Sequence, residues 1–270
     1  VQLFPKNGRG AKVEKCFYKQ SRLAYIEFFM NSGNPTLQPA AFKELAPAAD
    51  GAVMTLSGTV SRAATLLLLV ILGTSFTWSQ AAAPLGQMLT IGGAIGGFIL
   101  AMVTVFKKTW SPFTAPVYAL LQGLFLGGFS AIYNAQLNGI VLQAVMLTFG
   151  TLAAMLFLYQ TRLIRVTNTF RMVVFGATAG ILVVYLASFI MGFFGMQVPY
   201  LHDSSPVSIG ISLVIVVVAA LNLAMDFDLI EQGIGAAPRY MEWYCAFGLI
   251  VTLIWLYLEI LRLLAKLSRR

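Results

Sequence analysis

Residues 206–231 read PVSIGISLVIVVVAALNLAMDFDLIE, and this stretch decides the class of the chain. Crossing roughly 30 Å of hydrocarbon takes about 20 mostly apolar residues as helix, and 207–225 supplies them. The span then runs directly into Asp226, Asp228 and Glu231. Ionisable groups at the edge of a bilayer are costly and are kept where protons or ions are handled. Ser208 with Ser212, and Asn222 with Asp226, stand four apart, which puts each pair on one helix face. Asp228 lies about 200° round the helix from Asp226. Both face one cavity only if the helix unwinds, and Gly233, Gly235 and Pro238 immediately beyond favour unwinding. The plainer alternative is that all three acids mark a solvated helix end.

Working outward, apolar stretches of spanning length recur at 63–78, 85–106, 113–133, 137–159, 172–196 and 243–264. The chain is 59% hydrophobic and only 10% charged over 270 residues, whereas soluble domains carry roughly 25% charge. The expected fold is therefore all-α: an integral membrane protein, one seven-helix transmembrane bundle over 62–270 behind an N-terminal arm, 1–61. Cys16 and Cys245 give no disulfide framework, and the single His202 gives no zinc constellation. No cofactor is expected.

Lys and Arg gather before the first span (6–62), after the second (Lys107, Lys108) and between the fourth and fifth (Arg162, Arg165, Arg171). The alternate connections, 80–84, 134–136 and 197–206, carry none. Positive charge stays on the cytoplasmic side, so the N-terminus is cytoplasmic and seven spans send the C-terminus outside. Lys266, Arg269 and Arg270 pull the other way, and a re-entrant seventh segment would reconcile them; overruling by the earlier loops is the preferred reading. The acids at 226–231 would then lie on the cytoplasmic side, where Lys or Arg is the usual residue. The net charge of +8 forms no basic stripe on a soluble face, so nucleic acid is not an expected partner, and contact with anionic lipid accounts for it.

Residues 1–29 lack the apolar core of a signal peptide. Met30 opens MNSGNP, which reads as a natural start, so 1–29 is expected to be upstream of the native chain. The Pro, Ala and Gly content of 30–59 predicts a largely unstructured arm.

Glycines four apart, Gly92/Gly96, Gly93/Gly97, Gly123/Gly127 and Gly176/Gly180, predict close helix contacts. Pro112, Pro116 and Pro206 mark helix starts. Gln122 and Thr148 are expected to hydrogen-bond between helices. Glu259 stands three before Arg262, a local helix pair, and Glu242 suits a helix N-terminus. Both lie on the helix that packs beside the sixth, so each is a possible partner for Asp226, as is Asn222 on its own face. His202, beside Asp203, reads as a loop residue.

NLAMDFDLIE (222–231), Pro238, MEWY (241–244), AFGL (246–249) and WLYLEIL (255–261) together resemble the bacterial YccA-like branch of the Bax inhibitor-1 family. QGLFLGGFSAIY (122–133) and QAVMLT (143–148) resemble its third and fourth helices. The likeness covers about 30–270. It implies seven helices with the last one central, residence in the bacterial inner membrane, and a pH-sensitive calcium leak controlled by a proton shared between aspartates on helices six and seven. Asp226 matches the first aspartate. The seventh-helix positions fall near Phe247 and Val251, where no carboxylate stands, and the family's second-helix arginine has no counterpart in 85–106.

A surviving sensor would pair Asp226 with Asp228, Glu231, Glu242 or Glu259, because two close carboxylates cannot both ionise cheaply. Losing the proton would drive helices six and seven apart. Calcium, a hard cation, would find oxygen ligands there, with Asp226 the candidate. The competing reading, also implied by the resemblance, is an interaction protein that modulates a membrane protease or other bilayer partner through its arm. Enzymatic readings lack an intramembrane Ser–His pair, a mid-span lysine on the seventh helix and a phosphate loop.

Overall fold

The computed structural model describes residues 52–194 and 205–269. The start at Met30, the arm before residue 52, His202, Asp203 and the expected end of the fifth span at Met196 lie outside the described residues. Among those described there are seven helices long and apolar enough to cross a membrane, so the chain is a multi-pass all-α membrane protein. They are α1 Leu56–Ser79, α2 Pro84–Phe106, α3 Ser111–Gln136 and α4 Ile140–Gln160. There follow α5 Asn168–Phe193, α6 Pro206–Gly233 and α7 Met241–Ser268.

Local chemistry sets the ends. The α1 helix begins at Leu56, ahead of the expected boundary at 62, because the Thr55 hydroxyl caps it by accepting from Gly58 N at 3.1 Å. Thr167 caps α5 in the same way, and Ser205 with Pro206 opens α6. Pro112 sits in the first turn of α3, whereas Pro116 lies inside the helix instead of marking its start. The unwinding expected around Asp226 does not occur: α6 runs unbroken to Gly233. The turn comes afterwards, at Gly235 with φ 72°, a left-handed conformation that glycine takes without strain. Met54 pairs with that turn, donating to Ala237 O at 2.8 Å and accepting from Gly235 N at 2.9 Å.

The α7 helix is the centre of the bundle. It packs directly on α1, α3, α4 and α6, while α2 lies chiefly against α3 and α5 against α6. Ala246, Phe247, Ile250, Leu256 and Leu261 of α7 are buried, and Tyr118 of α3 meets Phe247 edge-on at 4.8 Å between centroids. Met88, Phe98, Phe113 and Phe157 stand exposed on the outer faces, as a lipid solvent requires. At 28 residues, α7 is about 42 Å long, enough to cross outright. Lys266, counted from the sequence with the positive charges of the C-terminal tail, is buried within α7 and donates to Ser212 of α6 at 2.7 Å. Arg269 bonds Gln136 at the end of α3. The bundle thus has an N-side, where α1 begins, and a C-side, where α7 ends.

Glycines close the seams on α3. A Cβ on Gly73 of α1 would stand 2.7 Å from Leu120 O and 3.0 Å from Gly123 Cα. One on Gly93 of α2 would meet Phe125 N at 2.8 Å, and the Gln122 amide lies over Gly97. A Cβ on Gly176, Gly180 or Gly92 would have no described atom within 4 Å, so among the described residues the spacing of four marks a contact on α3 and none on α5. Thr148 donates back to Ala144 O of its own helix at 2.7 Å, where an interhelical bond was expected.

Candidate functional site

Asp226 lies on the face of α6 that meets α7. Its Oδ2 is buried without a hydrogen-bond partner, and the nearby Thr252 hydroxyl of α7 donates to Gly248 O of its own helix at 3.2 Å. A Cβ built on Gly248, one turn before Thr252, would stand 3.9 Å from Asp226 Oδ1. The carboxylate therefore faces a small residue and a hydroxyl. Burying an anion without compensating charge costs several kcal/mol.

Asp228 and Glu231 point elsewhere, because an unbroken helix keeps them off the Asp226 face. Asp228 pairs with Arg171 at the start of α5 and accepts from Gln232 at 2.6 Å. Glu231 accepts from Arg162 at 2.6 Å and from the Tyr159 hydroxyl at the end of α4. The Glu231 carboxylate holds the exposed Arg162 guanidinium above its usual range, first by that hydrogen bond and then by charge. Acids at this edge thus answer one arginine of the α4–α5 connection and one in the first turn of α5. The three expected sensing residues do not converge, and among the described residues no three His, Cys, Asp or Glu side chains gather as a metal cage.

Glu242 does not reach Asp226 either. Only 2% exposed, it stands 2.9 Å from Arg62 of α1 and accepts from the Thr55 N–H and hydroxyl, each at 2.9 Å. The Arg62 contact is an ion pair whose angle falls short of a hydrogen bond, which leaves Glu242 Oε2 without one. Arg62 also lies 5.2 Å over the Trp243 ring. This cluster ties the start of α1 to the start of α7.

Glu259 forms the expected local pair with Arg262 at 3.1 Å. It also accepts from the Tyr185 hydroxyl of α5 at 2.8 Å and from Trp255 Nε1 at 3.2 Å. Asn222, placed with Asp226 from the sequence, instead donates to Thr178 of α5 at 2.9 Å.

The family model described as Bax inhibitor 1 like matches residues 27–269. The chain belongs to the Bax inhibitor-1-like family. Neither the curated proteins nor the solved structures contain a match to it. In this Bax inhibitor-1-like bundle the seventh-helix positions laid on the family's aspartates do not face Asp226. Phe247 packs on Tyr118, and Val251 is 37% exposed. The facing positions are Gly248 and Thr252, four residues apart on one face of α7.

Sequence reading missed Thr252, Tyr185, Arg62 and Lys266. A signal for Thr252 and Lys266 was present, because Thr252, Glu259 and Lys266 recur every seven residues, close to two helical turns. Arg62 and Tyr185 carried none, since their partners are remote in sequence.

Proposed function

We propose that the protein is a pH-sensitive cation leak, with calcium as cargo, in which titration of Asp226 governs the contact between α6 and α7. The observation that carries this reading is the buried, unpartnered Asp226 Oδ2 at that contact. Protonated, the side chain is a neutral group lying beside Thr252. Ionised, it faces α7 with no ion pair among the described residues, and the anion regains solvation only if water enters and the helices part. An aspartate–threonine contact thereby takes the place of a shared-proton carboxylate pair, and Asp228, Glu231, Glu242 and Glu259 keep partners of their own.

The basic residues Arg62, Lys107, Lys108, Arg162, Arg165 and Arg171 favour a cytoplasmic N-side, which puts Asp226 in the cytoplasmic half. The family likeness in the motifs supports a YccA-like member in a bacterial inner membrane. Calcium flux into proteoliposomes, from about pH 5 to about pH 8, tests the leak. Flux that rises with pH in the native protein and stays low throughout in Asp226→Asn is the expected result. No flux from a folded native protein at any pH refutes the leak.

A further inference from the structure

One face of α7 carries Thr252, Trp255, Glu259, Arg262 and Lys266, at spacings of three and four. At 100° per residue these side chains form a single narrow stripe. Its polar stations face groups of α5 or α6, apart from Trp255, which donates to Glu259 of α7 itself. Thr252 lies beside Asp226 of α6. Glu259 accepts from Tyr185 of α5 at 2.8 and 2.9 Å through its two oxygens, and Arg262 donates to the same hydroxyl at 2.8 Å. Lys266 donates to Ser212 of α6 at 2.7 Å. Between the first two stations, Asn222 of α6 meets Thr178 of α5 at 2.9 Å.

From Thr252 to Glu259, and from Glu259 to Lys266, is seven residues each, a rise of about 10 Å per step. Polar groups therefore ladder across most of a hydrocarbon layer about 30 Å thick. The opposite side of the bundle differs: there α1, α2 and α3 are joined backbone to backbone at Gly73, Gly93 and Gly123, with no room for water. The outer wall of the polar seam is α5, the least buried of the seven spans, where a Cβ on Gly176 or Gly180 would have no described atom within 4 Å. A helix so lightly held can shift at small cost in packing. Glu259, only 2% exposed, is more than helix packing demands, because a carboxylate within a bilayer is expensive to keep.

We propose that the seam between α5, α6 and α7 is the route for cations, and that Glu259 is a second carboxylate station beyond Asp226, occupied by Arg262 while the route is closed. The inference rests on the cation-leak reading and adds its path. Arg262 Nη1 lies 3.1 and 3.2 Å from the two Glu259 oxygens, and its guanidinium stands 5.3 Å over the Tyr185 ring. A hard divalent cation arriving from Asp226 would take the Glu259 oxygens as α5 and the guanidinium move aside.

The test uses single cysteines at Thr178, Tyr185 and Ser212, with Ala119→Cys in the core as control, in full-length protein carrying Cys16→Ala and Cys245→Ala. In proteoliposomes, each is exposed to a membrane-impermeant thiol reagent while calcium flux is followed. The expected result is labelling at Thr178→Cys, Tyr185→Cys and Ser212→Cys that blocks flux, with Ala119→Cys unlabelled. Arg262→Gln is expected to raise flux severalfold and Glu259→Gln to lower it. Flux with the seam cysteines unlabelled, or labelled without effect on flux, overturns the route while the leak stands. A labelled seam in vesicles without native flux overturns the leak reading and Glu259's role as a cation station, while leaving a water-accessible seam.

Discussion

Replacing Gly58 with alanine is expected to destabilise the bundle by about 2–4 kcal/mol, although alanine is the better helix former. Gly58 lies in the first turn of α1, directly under the Glu242 carboxylate, and a Cβ there would collide with Glu242 Oε1 and stand 2.6 Å from Oε2. The carboxylate must move, yet it is fixed by Thr55 and Arg62, each at 2.9 Å, and is only 2% exposed. Breaking a buried ion pair costs about 3–5 kcal/mol, because one charge is left without its partner. Alanine returns about 1 kcal/mol at most through helix propensity. For a chain of this size, such a loss lowers the melting temperature by about 4–16 °C. Heat denaturation in detergent reads it, with Trp243 emission as a local probe because Arg62 lies over that ring. Gly92→Ala, with nothing within 4 Å of the new methyl, is the control and should leave the melting temperature unchanged or slightly raised. A Gly58→Ala protein that melts at or above the native temperature refutes the Glu242 cluster as a tie between α1 and α7.

On α3, Gly123→Ala would press a methyl into Val70 O of α1, and overpacking of this kind costs about 1–3 kcal/mol; Gly176→Ala on α5 should cost nothing, and equal melting shifts for the two would contradict the seams described. Arg171→Gln removes the partner of Asp228, both under 20% exposed, and is expected to cost about 1.5–3 kcal/mol. Arg162→Gln, whose pair with Glu231 is 61% and 46% exposed, should cost less than Arg171→Gln, and the reverse order in urea or heat would show that burial does not rank these pairs.

The spans were legible because crossing a bilayer forces about 20 apolar residues in a row, a pattern that needs no knowledge of neighbours. The three acids at 226–231 were legible as unusual, but their partners were not. Arg171 and Arg162 meet them only once α4, α5 and α6 are assembled, and the helix continues past all three acids to Gly233. Glu242 read as a helix N-terminal acid, whereas its binding depends on Thr55 and Arg62, remote in the chain. Spacing alone could not separate Gly123, pressed on α1, from Gly176, where an added Cβ would meet none of the described residues within 4 Å. The stripe through Thr252, Glu259 and Lys266 was present in the sequence, but its meaning required Tyr185 and Ser212 on other helices.

The most direct test of the central claim is the infrared difference spectrum of the carboxyl groups as pH is raised, recorded on the reconstituted protein alongside calcium flux. The account predicts a protonated carboxyl band that disappears over the same pH range in which flux rises, is absent from Asp226→Asn, and shifts in frequency in Thr252→Val. A titrating band that survives Asp226→Asn, or one that disappears in a range where flux does not change, would contradict it.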